Sequence, residues 1–493
     1  NAGNASYVNG CTDLVGNSRT IDGTVDMGCL ERPAYLWHID IIKCGHGTVI
    51  DNGISVVDGG SLSFTAVESG SPFLGFYTNG VFATSAKDFT WSGITQDGEL
   101  TAKFVHEIYA DASRPDDTGD GYSWATAKRT LQAAINEAAD GDTVWVADGV
   151  YGVISTANKH IDVRAANPGH LAIVDGGGSA RCATLGEADG EVKTRLFGLT
   201  LRNGSATYGG GVRYGTINDC VLSNNRASSD GGGAYRVIAT GCRFENNIAI
   251  RYGGGSCYGT SIECEHVGNT AQNGGGSYNG TLRKCTFSGN SATYGGGVCS
   301  STASDSEFEG NIGGSGGGAY ESTLHRCAFR DNRATNGGGM HRCNAYNSLF
   351  VGNSASGSGG GVYSDSSSYS IRNCTVVGNT AATGAGVRGG YIYNSIVWDN
   401  YLLTGADGNY SDAYDVRNTC STHGASSNGN INADPRFVDI GFGDYRLRSG
   451  SPCLNTGSSS YVNGATDIAG NARTQSGTVD MGCYEGEVPG LVI

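Results

Sequence analysis

The stretch CTFSGNSATYGGGV, Cys285 to Val298, decides the fold. Its parts recur in phase. Gly-Gly-Gly begins at Gly209, Gly231, Gly253, Gly274, Gly295, Gly316, Gly337 and Gly359, at spacings of 21 or 22 residues, and Gly384-Ala385-Gly386 follows as a degenerate copy. Between the triplets runs a column of asparagines: Asn225, Asn247, Asn269, Asn290, Asn311, Asn332, Asn353, Asn379 and Asn400. Three residues before many of them stands Phe244, Phe287, Phe308, Phe329 or Phe350, and two after stands a small residue such as Ala249, Ala292 or Ala355. Cys and Phe two apart share one face of a strand, and that face is inward. A unit of this length holds two or three short strands and tight turns, too little for a pair of helices. The leucine ladder of a leucine-rich repeat is missing. The reading is an all-β chain, a parallel β-helix whose coils stack at about 4.8 Å and line up like residues along the axis. Its hand is expected to be right, from the general crossover preference.

Composition agrees. Glycine is 82 of 493 residues and proline only 7, with no Gly-X-Y period, which excludes collagen. A hydrophobic share of 38% excludes low-complexity disorder. The net charge is −15 with no basic run, so neither nucleic acid nor an anionic membrane is an expected partner, and no apolar stretch reaches membrane-spanning length.

Around the repeat, five segments are expected: 1–31, 32–107, 108–147, 148–417 and 418–493. The alternation of Gly-Gly-Ala/Val with Phe-x-x-Asn, over about Asn203 to Asn400, resembles the repeats of the polymorphic outer-membrane protein family of surface adhesins. Ile108-Tyr109-Ala110-Asp111, Gly119-Asp120-Gly121-Tyr122-Ser123-Trp124 and Thr143-Val144-Trp145-Val146 are similar to the N-terminal cap of bacterial surface β-helix proteins. Between them, Leu131 to Ala139 has helical apolar spacing and reads as a short helix over the open end. Ala433-Asp434-Pro435-Arg436-Phe437, Ser451-Pro452-Cys453 and Val479-Asp480-Met481-Gly482 resemble a choice-of-anchor C-terminal cap. Its last part recurs at the start: Asn455 to Glu485 parallels Asn1 to Glu31 at an offset of 454. Residues 1–31 therefore read as a cap fragment. The chain is either one period of a tandem array or a subunit that docks head-to-tail on its neighbour; both are expected to self-associate into a rod. Residues 32–107 alternate apolar residues with turn signals and resemble an internalin-type B-repeat, a small β spacer for which the resemblance implies no catalysis.

Chemistry has few footholds. Gly45-His46-Gly47 matches a short polygalacturonase motif but reads as a turn into a strand. No ladder offers two carboxylates to one groove as a glycosidase needs. Any catalytic site is expected in the irregular coils, Gly149 to Leu201 or Gly384 to Arg417. Arg213 and Arg251 read as isolated surface charges. Asp111, Asp116, Asp117 and Asp120 are weak calcium candidates in a loop that otherwise reads as a solvated turn; no other cofactor is expected. Tyr235, Tyr278, Tyr320 and Tyr363 follow glycine triplets at one register and are candidates to stack on a surface glycan, or simply to stabilise neighbouring coils. Cys220, Cys242, Cys264, Cys285, Cys327 and Cys374 share one column with Ser306 and Ser348; neighbours lie within disulfide reach, yet a ladder of small buried residues explains the Cys/Ser interchange as well. Cys453 and Cys483 are the pair expected to bridge. The whole reads as a secreted or surface-anchored, non-enzymatic stalk or adhesin, with a glycan binder or carbohydrate-active enzyme as the alternative and host or community surface glycans or proteins as partners.

Overall fold

The computed structural model describes residues 36–44, 47–69, 72–104, 106–186, 194–422, 427–475 and 477–486. Two compact units emerge, one of residues 1–108 with 137–143 and one of 109–136 with 144–493. The cap fragment at 1–31 lies outside the described residues.

The first unit is a small β module. A five-stranded sheet runs in the order Ser55–Val57, Leu36–Cys44, Gly98–Phe104, Phe73–Thr78, Val81–Thr84, and a second sheet joins Gly47–Asp51, Gly60–Glu68 and Asp88–Ile94. Ile39, Phe64, Phe76, Leu100 and Phe104 form its core.

The second unit is a parallel β-helix with four walls. The first wall has fourteen strands, from Glu107–Ala110 to Asp415–Arg417, and the second has twelve, from Gly149–Tyr151 to Ile396–Trp398. The third has ten, from Ser205–Tyr208 to Tyr401–Leu402, and the fourth has twelve, from Ile154–Ser155 to Tyr410–Ser411. Each strand pairs in parallel with its counterpart one coil on, as Thr286, Phe287 and Ser288 do with Glu307, Phe308 and Glu309. One coil shows the design. Thr281–Arg283, Thr286–Ser288, Ser291–Tyr294 and Val298–Cys299 are its four strands, with Leu282, Phe287 and Val298 buried inside.

Three corners share one device: a residue in the left-handed region followed by a small polar residue turned inward. They are Lys284-Cys285, Gly289-Asn290 and Ser300-Ser301, with φ of 54°, 61° and 53°. The inward residues form three ladders. In the asparagine ladder Asn290 donates from Nδ2 to Asn311 Oδ1 (2.9 Å) and to His266 O (2.8 Å), while Asn311 Oδ1 also accepts from the Asn290 backbone N–H (3.0 Å). Asn247, Asn311, Asn332 and Asn353 make the same bonds to the coils on either side. Every amide donor and the carbonyl are thereby satisfied without water, as a buried side-chain amide requires.

The cysteine column works the same way. The Cys220 N–H donates to Cys242 Sγ and the Cys242 N–H to Cys264 Sγ, both at 3.4 Å; the Cys285 N–H uses Ser306 Oγ and the Cys327 N–H uses Ser348 Oγ, both at 3.1 Å. The column needs an acceptor for a buried N–H, and thiol or hydroxyl serves. None of these cysteines is bridged; burial pushes the Cys327 and Cys374 thiols up to about 12. A third ladder, Ser301, Ser322 and Cys343, fills the last corner.

The glycine triplet closes the fourth corner. At Gly274 φ is +65°; a Cβ on Gly275 would lie 2.4 Å from Gly296 O, and one on Gly276 would lie 2.6 Å from Phe287 Cδ1. The first glycine supplies the left-handed turn and the next two let coils touch backbone to backbone.

The cap helix spans Leu131–Glu137 with Leu131, Ala134 and Ile135 buried, and Lys159 Nζ caps the carbonyls of Ile135 and Asn136 at 2.8 Å. At the other end, Phe437, Tyr445, Leu447, Cys453, Met481 and Cys483 pack against Leu349, Val377 and Ile396 on the outer side of the second wall. The expected Cys453–Cys483 bridge is corrected here: both thiols are free. The Cys483 N–H donates to Thr375 Oγ1 (3.0 Å), and Cys453 pairs with the Cys420 thiol instead. Cys420, Cys453 and Cys483 share one apolar core in the cap.

Candidate functional surface

Each fourth-wall strand has two residues, the first inward and the second outward. The series turned away from the core is Arg213, Tyr235, Cys257, Tyr278, Cys299, Tyr320, His341, Tyr363 and Arg388, in unbroken register, and of these Cys257, Cys299, Tyr320 and His341 are nonetheless buried. Tyr235, Tyr278, Tyr320 and Tyr363 thus stand on every second coil, about 10 Å apart at the usual strand spacing.

They are joined by rings from two flanking columns. The tight glycine corner brings the end of the third wall alongside, adding Tyr208, Tyr252 and Tyr294, and the left-handed corner after each strand adds Tyr214, Arg236 and Tyr258. Tyr208 meets Tyr235 at 5.1 Å between centroids, and Tyr258 bridges Tyr235 and Tyr278 edge-on at 5.8 and 5.7 Å. Tyr252 stacks on Tyr278 at 4.3 Å. Farther on, Tyr294 meets Tyr320, and Tyr320, His341 and Tyr363 follow at 5.3 and 4.5 Å. Periodicity read from the sequence finds the outward column. Tyr208, Tyr252 and Tyr294 are likewise marked by their place before the triplets, whereas Tyr214 and Tyr258 escape it, because only the left-handed corner brings them to that face.

The first coils of this strip are also cationic. Arg213 lies 4.5 Å from the Tyr214 ring and donates to its hydroxyl at 2.7 Å, and Arg251 lies 4.8 Å from the Tyr252 ring. Arg236 sits 5.4 and 5.8 Å from the rings of Tyr235 and Tyr258. Arg181 donates to Gly209 O and Tyr208 O, each at 2.9 Å, and burial with the nearby Arg213 charge lowers its pKa. The expectation that Arg213 and Arg251 are isolated is therefore corrected: coil stacking gathers them with Arg181 and Arg236. Among the described residues, Arg181, Arg213 and Arg251 form no ion pair with a carboxylate. Asp230 is buried beneath, accepting from Ser229 Oγ at 3.0 Å. Burial lifts Tyr278 and Tyr320 to about 12.

The aspartates of the opening loop serve local turns. Asp111 accepts from Ser113 N and Oγ, Asp116 from Thr118 N and Oγ1, Asp117 from Thr130 N and Oγ1, and Asp120 from Tyr122 N and Thr126 Oγ1. Among the described residues no group of three acidic, histidine or cysteine side chains is gathered as a metal would need. Asp116 and Asp117 line an open pocket of about 480 Å³ with Arg129, Val150 and Tyr151. A second pocket, about 310 Å³, lies in the irregular coils between Ala382 and Asp412 and is lined by Arg388, Asp407, Tyr410 and Asp412. There Arg388 pairs with Asp412 at 3.2 Å. The Gly45-His46 motif lies outside the described residues.

The wall that carries this strip is built from a recognisable unit. Residues 284–302 and 347–365 match the Chlamydia polymorphic membrane protein repeat. Those stretches run from a left-handed corner through the asparagine and glycine corners, so the repeat is one coil of the helix. No curated protein matches the chain. Among solved structures, pectate lyase Pel9A is similar at 13% identity and a TM-score of 0.37, covering 78% of this chain and 96% of that one. The Yersinia enterocolitica family 28 exopolygalacturonase follows at 10% and 0.31, covering 76% and 99%. A mannuronic acid specific family 6 lyase from human gut microbiota stands at 14% and 0.32, covering 58% and 83%. Likenesses of this size carry no argument about chemistry.

Proposed function

We propose that this chain is a non-enzymatic, extracellular surface protein in which the β-helix is a rigid stalk with an adhesive side wall. The polymorphic membrane protein repeat supports a surface location. The observation that carries the reading is the asparagine ladder, in which each buried amide from Asn225 to Asn400 is tied to the coils on both sides. Such a ladder makes a stiff, evenly spaced scaffold on which outward residues repeat at fixed distances.

Head-to-tail self-association belongs to the same proposal. In the C-terminal cap Arg473 is buried against Glu485 at 2.9 Å and donates to Asp480 O and Gly482 O, while Asp467 accepts from Ala469, Asn471 and Glu485 N–H. Asp13, Arg19, Asp26 and Glu31 stand at the matching positions 454 residues earlier. This recurrence of one set of charged residues at an offset of 454 supports the self-association reading.

One observation favours the enzymatic alternative: the pocket of Arg388, Asp407, Tyr410 and Asp412 lies in an irregular coil, and burial raises the nearby Asp399. Incubating the full chain with uronate and neutral polysaccharides tests both. No release of reducing ends or unsaturated sugars, together with extended particles in electron micrographs, is the expected result. Turnover that disappears in Asp407→Asn would replace the stalk reading with the enzymatic one.

A further inference from the structure

We propose that the fourth-wall strip between Tyr208 and Tyr278 is a binding site for a carboxylated polysaccharide, a chain of uronate-type sugars lying along the helix axis. This deepens the adhesive reading and rests on it.

Three observations meet here. The first is charge: in a chain of net −15, Arg181, Arg213, Arg236 and Arg251 converge on a few adjacent coils. Among the described residues the carboxylate beside them is Asp230, which is buried and holds up the Arg251 charge from beneath. The second is unused donor capacity. Arg213 bonds through Nη2 to the Tyr214 hydroxyl and makes no ion pair among the described residues, which leaves its Nη1 donors for a ligand, whereas its Nε is buried out of reach. Guanidinium groups bind carboxylates through paired N–H donors, which favours a planar carboxylate over a neutral hydroxyl. The third is shape. Tyr235, Tyr258 and Tyr278 form a connected aromatic face, with Tyr252 stacked beside it. Aromatic faces take up the C–H surface of a sugar ring, and tyrosine hydroxyls, protonated at neutral pH, can donate to its oxygens.

The spacing suits a polymer. Outward tyrosines recur on every second coil, about 10 Å apart, a distance on the scale of a disaccharide. In the later part of the wall the cations are paired with carboxylates: Arg342 is held by Asp365 at 2.7 Å and by Glu321 at 3.4 Å, and Arg388 by Asp412. Carboxylate recognition therefore belongs to the first coils, and the Tyr320–Tyr363 stretch extends only the aromatic track.

Affinity electrophoresis of the full chain in gels containing polygalacturonate, neutral galactan or heparin tests the site. Polygalacturonate is expected to retard the chain, galactan is not, and the retardation is expected to weaken as salt rises. Arg213→Gln with Arg251→Gln is expected to weaken binding about tenfold or more, and Tyr258→Ala by a similar factor. Arg342→Gln, outside the site, should bind like the parent, and matching melting curves establish that all variants are folded. Equal retardation by galactan, stronger retardation by heparin than by polygalacturonate, no retardation at all, or unchanged binding in the folded variants overturns the proposal. Failure here leaves the stalk reading standing, because that reading is decided by the turnover and microscopy results.

Discussion

His266 stands in the inner column where Phe244, Phe287, Phe308, Phe329 and Phe350 stand in other coils. It stacks between Phe244 at 4.5 Å and Phe287 at 4.6 Å, with Nδ1 on Gly276 O and Nε2 buried without a partner. Burial lowers its pKa from 6.5 to about 4. Between those values the unfolded chain takes up a proton that the folded chain refuses. Its contribution to stability is therefore fully present above pH 6.5 and falls as pH drops towards 4, by roughly 3 kcal/mol. His266→Phe completes the aromatic stack and removes that penalty; urea unfolding of parent and variant at pH 7 and pH 4 should show the gap between them widening in acid. Cys327 offers a second residue-scale test. Its thiol accepts from the Ser306 backbone N–H and donates to Ala303 O and His325 O. Cys327→Ser should leave stability within about 0.5 kcal/mol, whereas Cys327→Ala strands a buried N–H and should cost about 1–3 kcal/mol in the same measurement. The interchange of Cys and Ser is visible in the sequence. Its reason, an N–H one coil away that needs an acceptor, belongs to the stacked coils.

At the scale of one coil, two glycines seven residues apart have opposite tolerances. A Cβ on Gly296 would lie 2.4 Å from both Gly317 O and Ile312 O, so Gly296→Ala must force coils apart and should cost about 3 kcal/mol or more, read as a large drop in melting temperature. Gly289 has φ +61° and open space around its Cβ position, and Asn246 and Asp331 hold the equivalent corner in other coils. Gly289→Asn should therefore be close to neutral in that melting measurement. The asparagine corner is as exacting as the triplet. Asn311→Leu leaves the Asn290 N–H and Nδ2 and the Phe287 carbonyl without their partners, and should destabilise by on the order of 3 kcal/mol in chemical denaturation. Both columns are legible as a period of 21–22 residues. Which glycine turns the chain and which lets backbones touch is decided by the neighbouring coil.

At the scale of the β-helical unit, the final coils depend on their cap. The side chains of Asn394 and Asn347 reach Ser458 and Asn463, Tyr461 stacks on Tyr393 at 4.3 Å, and Thr375 holds the Cys483 N–H. Thr375→Val combined with Asn394→Ala should loosen residues 418–486 first, seen as faster proteolysis there and as growing light scattering once strand edges are exposed. The sequence by itself determined the solenoid, its coil length, the cap helix and the inward columns, because each repeats with a period that only stacked parallel strands satisfy. It also marked the column tyrosines that stand on every second coil. Tertiary structure alone decided that the thiols stay unbridged and that Arg181, Arg213, Arg236 and Arg251 meet on one strip. Those outcomes turn on neighbours 21 or more residues away and on left-handed corners that redirect side chains, and no single period in the chain records either.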